Sequence, residues 1–114
     1  GLPGVAVADP AQPGEEVAGT RPTRWLTCIT VDPSAAGVDR DRVIDALAAE
    51  GIEARPVWKP MHLQPAYADA PSIGGAVAAA AFDRGVALPS GSALTRDEVD
   101  EVIEVVSSVL PRSE

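Results

Sequence analysis

Between Arg24 and Leu110 the apolar positions change period several times, and each change marks an element. Trp25-Leu-Thr-Cys-Ile-Thr-Val31 is dense in β-branched and aromatic side chains and stops at Asp32-Pro33, which predicts a strand. Its apolar residues fall on both faces, Trp25, Ile29 and Val31 opposite Leu26 and Cys28, so the strand is expected to be covered on both sides. The spacing then becomes helical. Val43, Ile44, Leu47 and Ala48 share one face of a helix that Asp39 can cap, that runs to about Glu50 and that Gly51 stops. Ile52 to Trp58 reads as a second strand, which Pro56 confines to an edge or an end of the sheet. Ser72 can cap a second helix over Ile73 to Arg84, closed by Gly85, and Val86 to Leu88 is a short third strand. Thr95-Arg-Asp-Glu98 has capping-box spacing, and Val99, Val102, Ile103, Val106 and Leu110 recur on one face of the helix behind it.

The order β-α-β-loop-α-β-α implies an α/β two-layer sandwich, with helices on one side of a small mixed sheet. Helix-linked consecutive strands favour some parallel pairing. Residues 1–23 hold four of the eleven prolines and four of the ten glycines, so they read as a lead-in segment that cannot sustain a helix, although Val5 to Ala8 can add a short edge strand. Residues 24–114 form the domain. Lys59 to Pro71 has three prolines and no usable period, and a loop of that length favours a functional role. The alanine run Ala76 to Ala81 suits close approach of a helix to a sheet.

Composition narrows the function classes. The 114 residues carry 17 acidic against 9 basic side chains, a formal charge of −8, and 46% hydrophobic residues, which suits one globular domain. The acidity argues against nucleic acid or an anionic membrane as partner, because both need Lys/Arg clusters. No apolar run approaches the roughly 20 residues that span a bilayer, and the N-terminus lacks the basic start and apolar core of a signal peptide. The single cysteine, Cys28, excludes an internal disulfide and a multi-cysteine zinc site, and suits a reducing compartment such as the cytoplasm. Gly1 stands where a methionine would start a chain, which suggests a piece of something larger.

The nitrogen chemistry is concentrated. The one lysine, Lys59, and the one histidine, His62, lie three residues apart within Arg55-Pro-Val-Trp-Lys-Pro-Met-His-Leu-Gln-Pro-Ala-Tyr67. Trp58, Tyr67 and Arg55 can stack on or hydrogen-bond a planar or glycosyl group. Lys59 and Arg55 can meet phosphate, and His62 can relay a proton near neutral pH. The same residues admit a structural reading, with Trp58 as strand-end core, Lys59 as a solvated charge and His62 satisfied by a backbone carbonyl. Leu88-Pro-Ser-Gly-Ser-Ala-Leu-Thr95 can present backbone N–H groups to an anion. The plainer reading, a tight strand-to-helix connection, is preferred, because neither a P-loop nor a dinucleotide fingerprint is present. No nucleophile elbow supports a Ser-His-Asp triad, and no zinc-ligand spacing surrounds His62 or Cys28.

Three blocks taken together, Arg24 to Ile29, Gly51 to Pro65 and Arg84 to Thr95, resemble the C-terminal part of the DegT-type nucleotide-sugar aminotransferases, which use pyridoxal phosphate. The middle block, Gly-Ile-Glu-Ala-Arg-Pro-Val-Trp-Lys-Pro-Met-His-Leu-Gln-Pro, is similar to the subgroup acting on UDP-linked 4-keto-6-deoxy amino sugars. Ala93, Ala87 and Ser72-Ile73 depart from that pattern, where asparagine, cysteine and an aromatic residue are common. The resemblance implies the small C-terminal domain of a fold-type I aminotransferase. It implies substrate-positioning roles for Arg55, Trp58, Lys59 and His62, and no catalytic, cofactor-binding or metal residue in this chain. Pyridoxal phosphate and its Schiff-base lysine would belong to a preceding large domain, a partner in cis or in trans. The parent would be a homodimer acting on a nucleotide-sugar, and this chain alone would be inert and would expose apolar surface meant for its neighbour. The competing expectation is a stand-alone, non-enzymatic α/β interaction or ligand-binding module.

Overall fold

The computed structural model describes residues 2–8, 23 and 25–110. Arg24 and most of the lead-in segment therefore lie outside the described residues. Among those described, a four-stranded sheet runs in the order β1 (Val5–Val7), β2 (Thr27–Val31), β4 (Gly85–Leu88), β3 (Arg55–Pro56). The remaining elements are α1 (Pro33–Ala36), α2 (Arg40–Ala49), α3 (Ala76–Arg84) and α4 (Arg96–Val109). The expected α/β layering forms, with α2 and α4 packed against each other over the sheet.

The pairing corrects one expectation. β1–β2, β2–β4 and β3–β4 are all antiparallel, with Val5 opposite Val31, Ile29 opposite Val86 and Arg55 opposite Ala87, so the sheet is not mixed. Because β2 and β3 both oppose β4, they run in the same direction, as a helix-linked pair does. They never touch, because β4 inserts between them.

Burial on β2 corrects a second. Ile29 and Val31 are buried, but Cys28 and Thr30 are only partly so and Trp25 is exposed, so one face is covered rather than two. β3 keeps only two residues of the expected Ile52–Trp58 strand, although Val57 N–H still donates to Gly85 O at 3.1 Å. Pro56, which has no N–H, sits on the edge strand where its missing donor is harmless. At the other edge, Val5–Val7 adds the strand that the lead-in could supply. Gly4 there has φ +71°, and a Cβ on it would lie 2.5 Å from Ala36 N, so the close approach of this strand to α1 requires glycine.

The helix ends follow capping chemistry. Asp39 accepts from Arg42 N–H at 2.9 Å to start α2, and Gly51 takes φ +75° just after it. Asp32 accepts from Ser34 N–H at 3.1 Å and from Ser34 Oγ–H at 2.7 Å, opening a short α1 that the sequence reading did not include, with Pro33 at its first position. Thr95 and Glu98 complete the capping box of α4. α3 starts later than expected. Gly74 and Gly75 both have positive φ, +72° and +96°, so no right-handed helix can run through them from Ile73, and Gly75 replaces Ser72 as the N-cap.

The core gathers Ile29, Val31 and Val86 from the sheet, Val43 and Leu47 from α2, and Val102, Val106 and Leu110 around α4. Ile44 packs against this cluster, whereas Ala48 is exposed. Val105 and Val109 join it in place of Val99 and Ile103, which remain exposed on the outer side of α4. Each fully buried valine or leucine contributes roughly 1.5–3 kcal/mol relative to exposure. No helix among the described residues is long and apolar enough to cross a membrane.

Candidate functional site

The site is built where edge strand β3 ends. Gly85 lets Val57 pass at contact distance, since a Cβ on Gly85 would lie 2.6 Å from a Val57 methyl. The next residue, Trp58, is 66% exposed. Its ring meets that of Trp25, 71% exposed, at a centroid separation of 5.6 Å and an interplanar angle of 33°. An open groove of about 1220 Å³ extends from Trp58, lined among others by Leu26, Arg55, Trp58, Lys59, Phe82 and Leu88, with α4 contributing to its wall.

Three of the four expected positioning residues, Arg55, Trp58 and Lys59, therefore share one groove. Arg55 Nε donates to Glu53 Oε1 at 2.6 Å, and both side chains are more than two-thirds exposed. Such a surface pair contributes little, about 0–1 kcal/mol, so an incoming anion can replace the carboxylate at small cost. Lys59 has no ion-pair partner among the described residues. The structure does not bring His62 to this wall. It lies in a 3-10 turn, Met61–Leu63, with its ring over Gly75, where a Cβ would stand 2.6 Å from Cε1.

The loop between them is locally ordered. Leu63 N–H donates to Pro60 O and Tyr67 N–H to Gln64 O, closing two 3-10 turns, and Gln64 Nε2 donates to Lys59 O at 3.2 Å. The segment from Trp58 to Tyr67 is thus a fixed ledge rather than a slack connection. Its apolar side chains Met61, Leu63 and Tyr67 are nevertheless exposed, as are Ile73 at 104% and Val77 at 86%.

The Leu88–Thr95 segment takes the plainer of its two readings. Ser90 Oγ accepts from Thr27 N–H and donates to Leu88 O, both at 2.8 Å, so the hydroxyl ties the connection to β2. Leu94 N–H donates to Gly91 O, completing a turn before Thr95. Glu98 accepts from Thr95 N–H at 2.7 Å and from Thr95 Oγ1–H at 2.8 Å, and these bonds hold its carboxyl below the usual carboxylate range. Cys28 is mid-strand, and no cluster of three or more His, Cys, Asp or Glu side chains exists among the described residues.

Two residues of this region were not singled out from sequence. Trp25 carried a signal, an indole at a strand entrance in a chain with two tryptophans. Arg40 carried none. It sits at the start of α2, with its guanidinium 4.4 Å from the Phe82 ring centroid and Nε donating to Asp41 Oδ1 at 3.1 Å. Its Nη1 is buried without a hydrogen-bond partner among the described residues. This cation–π contact fixes the back of the Phe82 ring, which forms part of the groove wall.

The fold recurs among known proteins. Residues 6–107 match the DegT/DnrJ/EryC1/StrS aminotransferase family, and the chain belongs to that family. It is 45% identical over 87 residues to EpsN of Bacillus subtilis (strain 168). That match covers 73% of this chain and 22% of EpsN. A GDP-perosamine synthase of Caulobacter vibrioides is 42% identical over 71 residues, covering 62% of this chain and 19% of the synthase. Among solved structures, that of DesI in the presence of its TDP-sugar product superposes with a TM-score of 0.74 at 27% identity, covering 92% of this chain and 26% of DesI. The chain thus spans about a fifth to a quarter of the length of the relatives it matches.

Proposed function

We propose that this chain is the small C-terminal domain of a nucleotide-sugar aminotransferase, and that its Arg55–Gln64 segment positions the nucleotide-linked sugar. The observation that carries this reading is the meeting of Arg55, Trp58 and Lys59 on one groove wall, within a chain of the sugar-aminotransferase family. Trp58 offers a face for a planar or glycosyl group. Arg55 and Lys59 offer charge to a diphosphate, Arg55 by giving up its exposed pair with Glu53. His62 acts from the side, keeping the ledge against Gly75. The UDP-linked 4-keto-6-deoxy amino sugar suggested by the Gly51–Pro65 block is the substrate we favour, and the cytoplasm, where such activated sugars are made, is the compartment.

The residues described here do not fit a complete pyridoxal phosphate site. The only lysine is on an exposed groove wall, and the one small-residue loop that could cup a phosphate has its Ser90 hydroxyl committed to Thr27 and Leu88. In this reading the cofactor and its lysine reside in the large domain of a longer polypeptide, which pairs as a homodimer. The test has two parts. Borohydride reduction of this chain with pyridoxal phosphate should leave Lys59 unmodified by mass spectrometry. The intact polypeptide should transaminate a UDP-linked keto sugar, and Trp58→Ala and Lys59→Ala should raise its KM with little change in kcat. Specific labelling of Lys59, or an intact protein whose KM ignores both substitutions, overturns the reading and favours a stand-alone binding module.

A further inference from the structure

We infer that Trp25 is a second, unassigned ring of the site, and that the Trp25–Trp58 pair is a stacking platform for the nucleobase of a nucleoside diphosphate. The inference rests on the nucleotide-sugar reading above and assigns a part of the ligand to a part of the groove.

Trp25 precedes β2 and Trp58 follows β3, yet they meet because β2 and β3 flank β4. Neither ring is used as core. At 71% and 66% exposure each indole leaves most of its surface in water, which is a poor use of the largest apolar side chain unless something covers it. Their mutual contact, at 5.6 Å and a tilt of 33°, covers only part of each ring and leaves an exposed face on both, and Trp58 also lines the groove. A nucleobase fits such a face by π-stacking, which tolerates any base because every base has one.

One cation beside the pair can meet a diphosphate attached to that base. Three carboxylates, Glu53, Glu98 and Glu101, and two cations, Arg55 and Lys59, line the groove, and Arg55 is paired with Glu53. Lys59, next in sequence to Trp58, has no ion-pair partner among the described residues and is the cation placed to meet a phosphate. Glu101 lines the groove from α4.

The chain provides its own probe, because Trp25 and Trp58 are its only tryptophans. Titrating the full 114-residue chain with uridine diphosphate, uridine or inorganic pyrophosphate while reading tryptophan emission separates the possible ligands. Uridine diphosphate and uridine should quench saturably, and pyrophosphate should not. Trp25→Leu, with Trp58 as the remaining reporter, should weaken uridine diphosphate by about five- to a hundredfold, and Trp25→Phe should restore most of the loss. Both residues being exposed, far-UV circular dichroism should show the fold unchanged. Equal affinity in Trp25→Leu, quenching by pyrophosphate alone, or no quenching by uridine diphosphate at tens of millimolar each overturns the platform. Those outcomes leave the transamination assay of the intact polypeptide to decide the broader reading separately.

Discussion

Gly75→Ala probes the joint that holds the ledge to the rest of the domain. The backbone there has φ +96°, which costs a residue bearing a Cβ about 1–2 kcal/mol. The added methyl would also stand 2.6 Å from His62 Cε1 and 2.9 Å from Nε2, so the ring must swing off the glycine. Losing that contact adds about 0.5–1 kcal/mol, within the range measured for directly touching neighbours. A total near 2 kcal/mol, with a urea slope of about 1.5 kcal/mol/M, lowers the unfolding midpoint by about 1.3 M. The double-mutant cycle isolates the contact. In a His62→Ala background the steric part disappears and Gly75→Ala should cost only its backbone share. If the glycine substitution costs the same with and without the imidazole, His62 does not rest on Gly75 and the anchoring role assigned to it is wrong.

Leu47→Ala, at a fully buried position between α2 and the sheet, should destabilise by about 2–5 kcal/mol by chemical denaturation. Thr95→Ala should cost about 1 kcal/mol by removing the α4 cap. The hydrogen bonds of Ser34 to Asp32 and of Thr95 to Glu98 lower both carboxyls, so the folded state holds their protons less tightly than the unfolded state. Their stabilisation is therefore present above the ordinary carboxylate range and fades as pH falls below about 4. A pH series of thermal midpoints should show that acid-side fall, and Thr95→Ala should flatten it. A fall of unchanged steepness in the variant would remove Glu98 as a contributor.

What was legible in the sequence was whatever local chemistry decides. The Asp39 and Thr95 caps, the Gly51 stop, the edge placement of Pro56 and the buried stripe of α4 each depend on residues within a turn or two of one another. Pairing direction was not legible, because nothing local to Ile52–Trp58 reveals that Gly85–Leu88 will come between it and Thr27–Val31. The exposure of Trp25 escaped for a related reason. Alternation along one strand shows which residues share a face, but not whether another layer exists to cover it. At the site, the Arg55–His62 cluster was visible as composition, and its division into a groove-lining trio and an anchored histidine was not. That division depends on the positive φ of Gly74 and Gly75, which delays α3 and brings a bare backbone under the imidazole.

The insertion of β4 between β2 and β3 also dictates an order of assembly. Until Gly85–Leu88 is available, Arg55–Pro56 has no neighbour, and Thr27–Val31 has only the short β1 strand. The sheet consequently cannot grow strand by strand as the chain emerges from the ribosome. Closure awaits a segment nearly sixty positions downstream of β2, a long-range search that slows folding relative to a meander of the same size. Any polypeptide ending before Leu88 would present unpaired strand edges, and these are the surfaces through which nascent chains associate.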